Sequence, residues 1–166
     1  MNFQSLNKLF LDRAEENSKK PFLWAKINKE WKSLTWKETS EKVKELGLVF
    51  PPAPQPAGVY RPVLIVDKFL YVSGQGPVQN DGSLMQGRLG DNLDQEQGKL
   101  AARQVGLTML SSIQTHFGSL DKIKRVVKVL GMVNSSQDFE KHPYVMNGFS
   151  ELMADVFGKE QGIGVR

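Results

Sequence analysis

The apolar positions of this chain change their spacing several times, and each change marks an element. Phe3, Leu6, Leu9, Phe10 and Ala14 fall at helical spacing, with Lys8, Asp12, Glu15 and Glu16 on the other face, so an amphipathic helix is predicted at the start. The runs 22–27 and 31–36 bracket Asn28-Lys29-Glu30 and predict a hairpin. Thr35-Trp36-Lys37-Glu38 then leads into a short helix through Val43 and Leu46. Pro51-Pro52-Ala53-Pro54-Gln55-Pro56 is too rich in proline for a helix or a central strand and reads as an extended polyproline connector.

Past the prolines, residues 63–66 and 68–74 are two β-rich runs that meet at Asp67-Lys68, and Pro77 ends the second because it has no backbone N–H for a ladder. Gln79-Asn80-Asp81-Gly82 is a strong turn signal, and residues 83–89 predict a short third strand with Gly87 and Gly90 as breaks. The longest helical pattern runs from Leu93 to about Phe117, with Gly98, Ala102 and Gly106 on one stripe and Gly118 as the stop. Glycine inside a helix costs about 1 kcal/mol relative to alanine. Two on one stripe therefore predict a helix backbone lying close against a sheet. His116, near the helix end, reads as a solvated residue that favours the helix dipole.

Residues 121–133, rich in valine, predict a fourth strand; Lys122, Lys124, Arg125 and Lys128 read as its solvated face. Pro143 opens a second helix, whose apolar face is Val145, Phe149, Leu152, Met153 and Val156, and Gly158 ends it. The order β-β-β-α-β-α predicts an α+β fold, an antiparallel or mixed sheet covered on one face by two helices.

Composition sharpens this picture at one place, near residue 46. All three tryptophans lie before it, whereas all fifteen glycines and seven of the eight prolines lie after it. Charge divides there too: residues 1–46 carry ten Lys/Arg against seven Asp/Glu, and residues 47–166 carry twelve against eleven. The larger part is nearly neutral and lacks the electrostatic footprint of a phosphate-backbone binder. Three regions are expected: a fragment over 1–46, a proline-rich connector over 47–57 and a main domain over 58–166. With no cysteine, disulfides, thiol nucleophiles and Cys-ligated metals are excluded. His116 and His142 have no metal-ligand spacing, so no metal and no cofactor is expected. No apolar leader or membrane-length run is present, and a cytoplasmic location is expected.

The candidate chemistry sits where the second body strand ends, in Ser73-Gly74-Gln75. Bulk gives way there to a hydroxyl, a bare backbone and an amide, and glycine permits close approach of a ligand or another chain. The stretch reads either as a strand stopping in a turn or as a wall of a cleft.

Residues 1–46 resemble the extreme N-terminus of AMP-forming acyl-CoA synthetases, through Leu9-Phe10-Leu11-Asp12-Arg13-Ala14 and Trp31-Lys32-Ser33-Leu34-Thr35-Trp36-Lys37-Glu38. No phosphate loop follows, so adenylation is excluded. Residues 46–166 resemble the RidA/YjgF family, also called endoribonuclease L-PSP or chorismate-mutase-like, in the longer subgroup that opens on Leu-Gly and Pro-Pro pairs. The shared motifs are Tyr71-Val72-Ser73-Gly74-Gln75, Gly87-Arg88-Leu89-Gly90, Gly98-Lys99-Leu100-Ala101-Ala102-Arg103, Val127-Lys128-Val129, Asn147-Gly148-Phe149-Ser150 and Val156-Phe157-Gly158, with Tyr60 ahead of the first strand.

That resemblance implies a homotrimer with clefts between subunits. It also implies hydrolysis of 2-imino or enamino acids to 2-keto acids and ammonia, without metal or cofactor. It implies Arg166 as the catalytic arginine that grips the substrate carboxylate, a task suited to planar bidentate donors. Tyr60, Ser73, Gly74 and Gln75 are implied as substrate-binding. The sequence departs from the family by Gly164-Val165 before the arginine, where His-Ala or Pro-Ala is usual, and by Phe149 in place of an alanine. The family pattern continues past Arg166 with two strands, the last carrying an acidic residue proposed to handle the water. A sheet short of its last two strands is therefore expected, with hydrolysis expected of the completed domain. Two other readings stay open: a non-catalytic small-molecule-binding or regulatory trimer, and the endoribonuclease or translation-inhibitor activity of the older family description.

Overall fold

A computed structural model describes residues 14–27, 30–35, 48–120 and 122–166. It comprises two compact units, Met1–Phe50 and Pro51–Arg166. In the first, β1 (Pro21–Ile27) pairs antiparallel with β2 (Glu30–Thr35), from Ile27 opposite Glu30 back to Pro21 opposite Thr35. This is the hairpin expected around Asn28-Lys29-Glu30, with Glu30 already in the ladder. The helix expected from Phe3 lies outside the described residues except for its end at 14–16, which is helical. The helix expected through Val43 and Leu46 also lies outside them.

The second unit opens with the proline run and then a tight hairpin. Its strands, β3 (Val63–Val66) and β4 (Phe69–Val72), pair antiparallel from Val66 opposite Phe69 to Val63 opposite Val72. The two-residue connection puts Asp67 at φ 53°, a left-handed conformation that aspartate tolerates better than most residues. Helix α1 (Gln95–Phe117) starts in a capping box. The Asp94 carboxylate accepts from Gln97 N at 2.8 Å, and the Gln97 side chain accepts from Asp94 N at 2.9 Å. It stops where Gly118 takes φ 87° and its N–H bonds to the Gln114 carbonyl. Helix α2 (His142–Phe157) carries Pro143 in its first turn, where the lost N–H has no partner to miss. A single turn, α3 (Lys159–Gly162), follows Gly158.

α1 and α2 pack on each other, and the core of this unit includes Leu107, Leu110, Ile113, Val145, Phe149, Leu152 and Met153. The small-residue stripe of α1 serves this contact at Gly106 and the packing of Leu89 from the preceding loop at Gly98, and not the sheet contact expected. A Cβ on Gly106 would meet Leu152 Cδ2 at 2.7 Å, and one on Gly98 would meet Leu89 Cδ2 at 2.6 Å. From the other side, a Cβ on Gly148 would fall on the Lys99 carbonyl oxygen. The missing side chains make room for the second helix at Gly106, and for Leu89 with Val145 of that helix at Gly98.

Two expected strands are absent as ladders. Residues 83–89 make only single bridges, Leu84 to Val78 and Leu89 to Leu93 and Ser135. The segment folds into a tight loop instead, the Arg88 carbonyl accepting from the N–H groups of Asp91, Asn92 and Leu93. Of the strand expected over 121–133, the described residues 122–133 form one bridge, Lys128 to Val165, and leave Leu130 and Met132 exposed. A valine-rich run becomes a strand only when a neighbour supplies a ladder, and here the neighbour is the short segment 161–165.

Candidate functional site

The walls of the site hang from one polar stripe on α1. Gln104, Thr108, Ser111 and Ser112 recur at intervals of four, seven and eight residues and so share a face. Gln104 Nε2 donates to the Val78 carbonyl. Val78 N–H donates to Thr108 Oγ1 at 3.2 Å, and that hydroxyl donates to the Gln104 carbonyl at 3.0 Å. Ser111 Oγ donates to the Pro51 carbonyl at 2.7 Å, and Ser112 Oγ donates to Gln75 Oε1 at 3.2 Å. Thr108 and Ser112 are fully buried or nearly so, and among the described residues no buried side-chain polar atom lacks a partner. A buried hydroxyl without a partner would cost about 1–3 kcal/mol, so each of these bonds fixes its loop firmly.

The stripe thereby holds the proline run on one side and the end of the Ser73-Gly74-Gln75 segment on the other. Between them lies a groove of about 430 Å³, lined by Tyr60, Gly74, Gln75, the prolines, Val78 and Leu84. Gln75 Nε2 also donates to the Ser73 carbonyl at 3.2 Å, so its amide is fixed at both ends. A Cβ added to Gly74 would meet nothing within 4 Å, which leaves the backbone there open to a neighbour. The Tyr60 hydroxyl accepts from Ala57 N–H at 3.2 Å and ties the end of the proline run to the mouth. Ser73 is placed differently. Its hydroxyl donates to the Arg61 carbonyl at 2.6 Å, and its N–H donates to the Pro62 carbonyl at 2.9 Å, extending the β3–β4 ladder. It does not line the groove.

Arg166 belongs to a second cluster. After α3, Val126 N–H donates to the Gln161 carbonyl at 2.7 Å, Val165 N–H to Val127 at 3.1 Å, and Val129 N–H to Val165 at 2.8 Å. Gly164 makes this approach possible, since a Cβ there would sit 2.9 Å from the carbonyl oxygens of both Val126 and Val127. The glycine of the Gly-Val departure in front of the arginine thus has a steric cause. The segment delivers the guanidinium to α2, where Nη2 donates to Asn147 Oδ1 at 2.8 Å and Nη1 to Ser150 Oγ at 3.2 Å. Both acceptors are uncharged, so the guanidinium is oriented without being neutralised. Asn147 and Ser150 were visible in sequence only as a motif; their partnership with Arg166 needed the fold. Within one chain, Arg166 shares no lining residue and no hydrogen-bond partner with the groove.

The outer edge of the α1–α2 contact is charged. Lys99 Nζ lies 2.9 Å from Glu151 Oε2 and 5.1 Å above the Tyr144 ring, and the Tyr144 hydroxyl bonds to both Glu96 oxygens at 2.7 and 2.9 Å. The bond to Glu151 holds the Lys99 pKa above its ordinary value, and the bond to Glu96 does the same for Tyr144. Neither expected lone histidine enters these clusters. His116 is exposed in the last turn of α1, and His142 Nε2 lies 3.0 Å from Ser135 Oγ at the start of α2. Among the described residues no group of His, Cys, Asp or Glu could hold a metal ion, and no helix is long and apolar enough to cross a membrane.

Residues 40–165 match the family model described as "YjgF/chorismate_mutase-like, putative endoribonuclease". The chain is 42% identical over 120 residues to "Protein TCP17" of Trypanosoma cruzi, covering 72% of this chain and 75% of that protein. Two solved structures share the fold. One is titled a "putative endoribonuclease" from Shewanella oneidensis MR-1, with 30% identity, a TM-score of 0.70 and coverage of 75% and 84% of the two chains. The other is Atu1372 from Agrobacterium tumefaciens, titled as of unknown function, with 34% identity, a TM-score of 0.67 and 76% of each chain covered.

Proposed function

The chain belongs to the YjgF/chorismate-mutase-like family, and from that membership we propose that its site hydrolyses 2-imino acids, and the enamines that tautomerise to them, to 2-keto acids and ammonia. The observation that carries this reading is the state of Arg166. Its guanidinium is oriented by two neutral acceptors, Asn147 and Ser150, and keeps its charge for a carboxylate ligand. In the reaction, a water oxygen bonds to the imine carbon while a proton passes to the nitrogen. The hydroxyl proton of the resulting carbinolamine then passes to the nitrogen as the carbon–nitrogen bond breaks, ammonia leaves and the keto oxygen remains, with no change in overall oxidation state. Holding a reactive imine and a water together is chiefly an orientation effect, which supplies rate without a strong acid or base.

The groove and the arginine cluster are the two halves of this site, brought together when copies associate as a homotrimer. Gly74 and Tyr60 of one copy face the Arg166 of the next, and the open space at Gly74 supports that arrangement. The test is release of keto acid and ammonia from 2-aminoacrylate generated in situ. Protein-dependent acceleration is expected, and a rate equal to the spontaneous one defeats the proposal. A second reading, RNA cleavage, is supported by the words "putative endoribonuclease" in the family description and in one neighbour's title. It predicts RNA binding that weakens steeply with salt and cleavage of a single-stranded substrate. Keto-acid release without either outcome removes it.

A further inference from the structure

We propose that the proline wall and Leu84 form the specificity-determining face of the groove, and that this face takes an apolar substrate side chain larger than a methylene or methyl group. The inference rests on the imino-acid reading of the site and adds to it which imino acids are used.

The wall is built from the sequence upward. Pro51 is fully buried and its carbonyl is held by Ser111, so the run that follows is anchored to α1 and does not behave as a free connector. Pro52, Pro54, Pro56 and Pro62 line the groove, with Val78 buried at 7% exposure and Leu84 at 48% along the opposite side. No lining residue carries a charge. Of the two lining amides, Gln75 has its oxygen bonded to Ser112 and its nitrogen to Ser73, and Gln55 is exposed. Proline contributes carbon surface with no N–H to offer a ligand and no side-chain freedom to lose. The space, about 430 Å³, lies within the range of small-molecule sites and exceeds what a three-carbon imino acid fills. A charged side chain entering it would surrender water and find no counter-charge.

The expected selectivity follows from these magnitudes. Each methylene placed in an apolar site is worth about tenfold or more in kcat/KM. The imino acids derived from leucine and phenylalanine should therefore outpace those from glutamate and lysine by at least roughly tenfold. Leu84→Lys puts an ammonium on the rim of the groove, at a position already half in water. It should cut the leucine-derived rate several-fold and raise the glutamate-derived rate relative to it.

The test measures two things on wild-type protein and on Leu84→Lys. One is hydrolysis of the four imino acids, generated by an amino-acid oxidase. The other is the melting shift with 4-methyl-2-oxopentanoate and with 2-oxoglutarate, which needs no turnover. Apolar preference in both, reversed or erased in Leu84→Lys, is the expected result. Hydrolysis with equal rates for apolar and charged side chains overturns the inference and leaves the hydrolase reading standing. No hydrolysis, with a shift only from the apolar keto acid that Leu84→Lys abolishes, upholds the apolar face and defeats the hydrolase reading. No hydrolysis and no preferential shift overturns both. If Leu84→Lys fails to fold, Leu84→Gln serves, with the same change of preference at smaller size.

Discussion

In the proposed reaction single residues matter because their partners differ in charge as well as in distance. Asn147 and Ser150 accept from Arg166 at 2.8 and 3.2 Å without cancelling its charge. Replacing Asn147 tests that distinction. Asn147→Ala removes one tether and is expected to lower kcat/KM about tenfold, which corresponds to about 1.4 kcal/mol. Asn147→Asp keeps the acceptor in place but pairs the guanidinium with a carboxylate, so substrate competes with a fixed anion. It should be the poorer enzyme of the two, with the larger rise in KM, although the geometry is better preserved. Steady-state kinetics of the two variants decide the matter; equal values would mean that Asn147 acts on packing alone. Sequence disclosed these residues as a motif but not their roles, because residues sixteen and nineteen positions from Arg166 meet it only after α3 has turned the chain back.

At the scale of elements, the two long helices were legible because their signals are local. Gly118 and Pro143 each act within one turn of the boundary they set, and the Asp94 cap that starts α1 is equally local. The strands at 83–89 and 121–133 were misread for the opposite reason: their apolar residues are real, but a ladder requires a distant partner that composition does not reveal. The polar stripe of α1 was a signal present and overlooked. Gln104, Thr108, Ser111 and Ser112 interrupt a largely apolar face, and such interruptions mark loops that need holding. Thr108→Val preserves shape and removes one of the two acceptors of the Val78 N–H, which keeps the Gly76 carbonyl at 3.0 Å. The expected loss is about 0.5–1.5 kcal/mol in urea unfolding, with weaker ligand binding in the groove that Val78 lines. The charged edge of the α1–α2 contact makes a separate prediction. Lys99 and Tyr144 both have folded pKa values raised above their ordinary ones by their carboxylate partners. Groups of this kind contribute stability fully below their unfolded pKa, about 10 for both, and lose it as pH rises through the folded value. Melting temperature should therefore fall more steeply above about pH 10 in wild-type protein than in Tyr144→Phe.

Over the whole molecule, the family is established, and the groove and the Arg166 cluster are the two halves of the site proposed above. The groove is held by α1, the arginine by α2, and the segment at 126–129 guides the chain between helix and arginine. Ser73-Gly74-Gln75 separates into parts with different duties: Ser73 continues the hairpin, Gly74 leaves backbone open, and Gln75 locks the wall to Ser112. The claim that unites both halves is that a carboxylate-bearing imine binds across them and is hydrolysed there. Its most direct test follows the decay of a leucine-derived 2-imino acid by absorbance after rapid mixing, with wild-type protein and Arg166→Gln side by side. The account predicts decay accelerated by the wild type and returned to within about a factor of two of the spontaneous rate by Arg166→Gln, since a neutral amide cannot grip the carboxylate as a guanidinium does. Equal acceleration by the two proteins, or none by either, would contradict it.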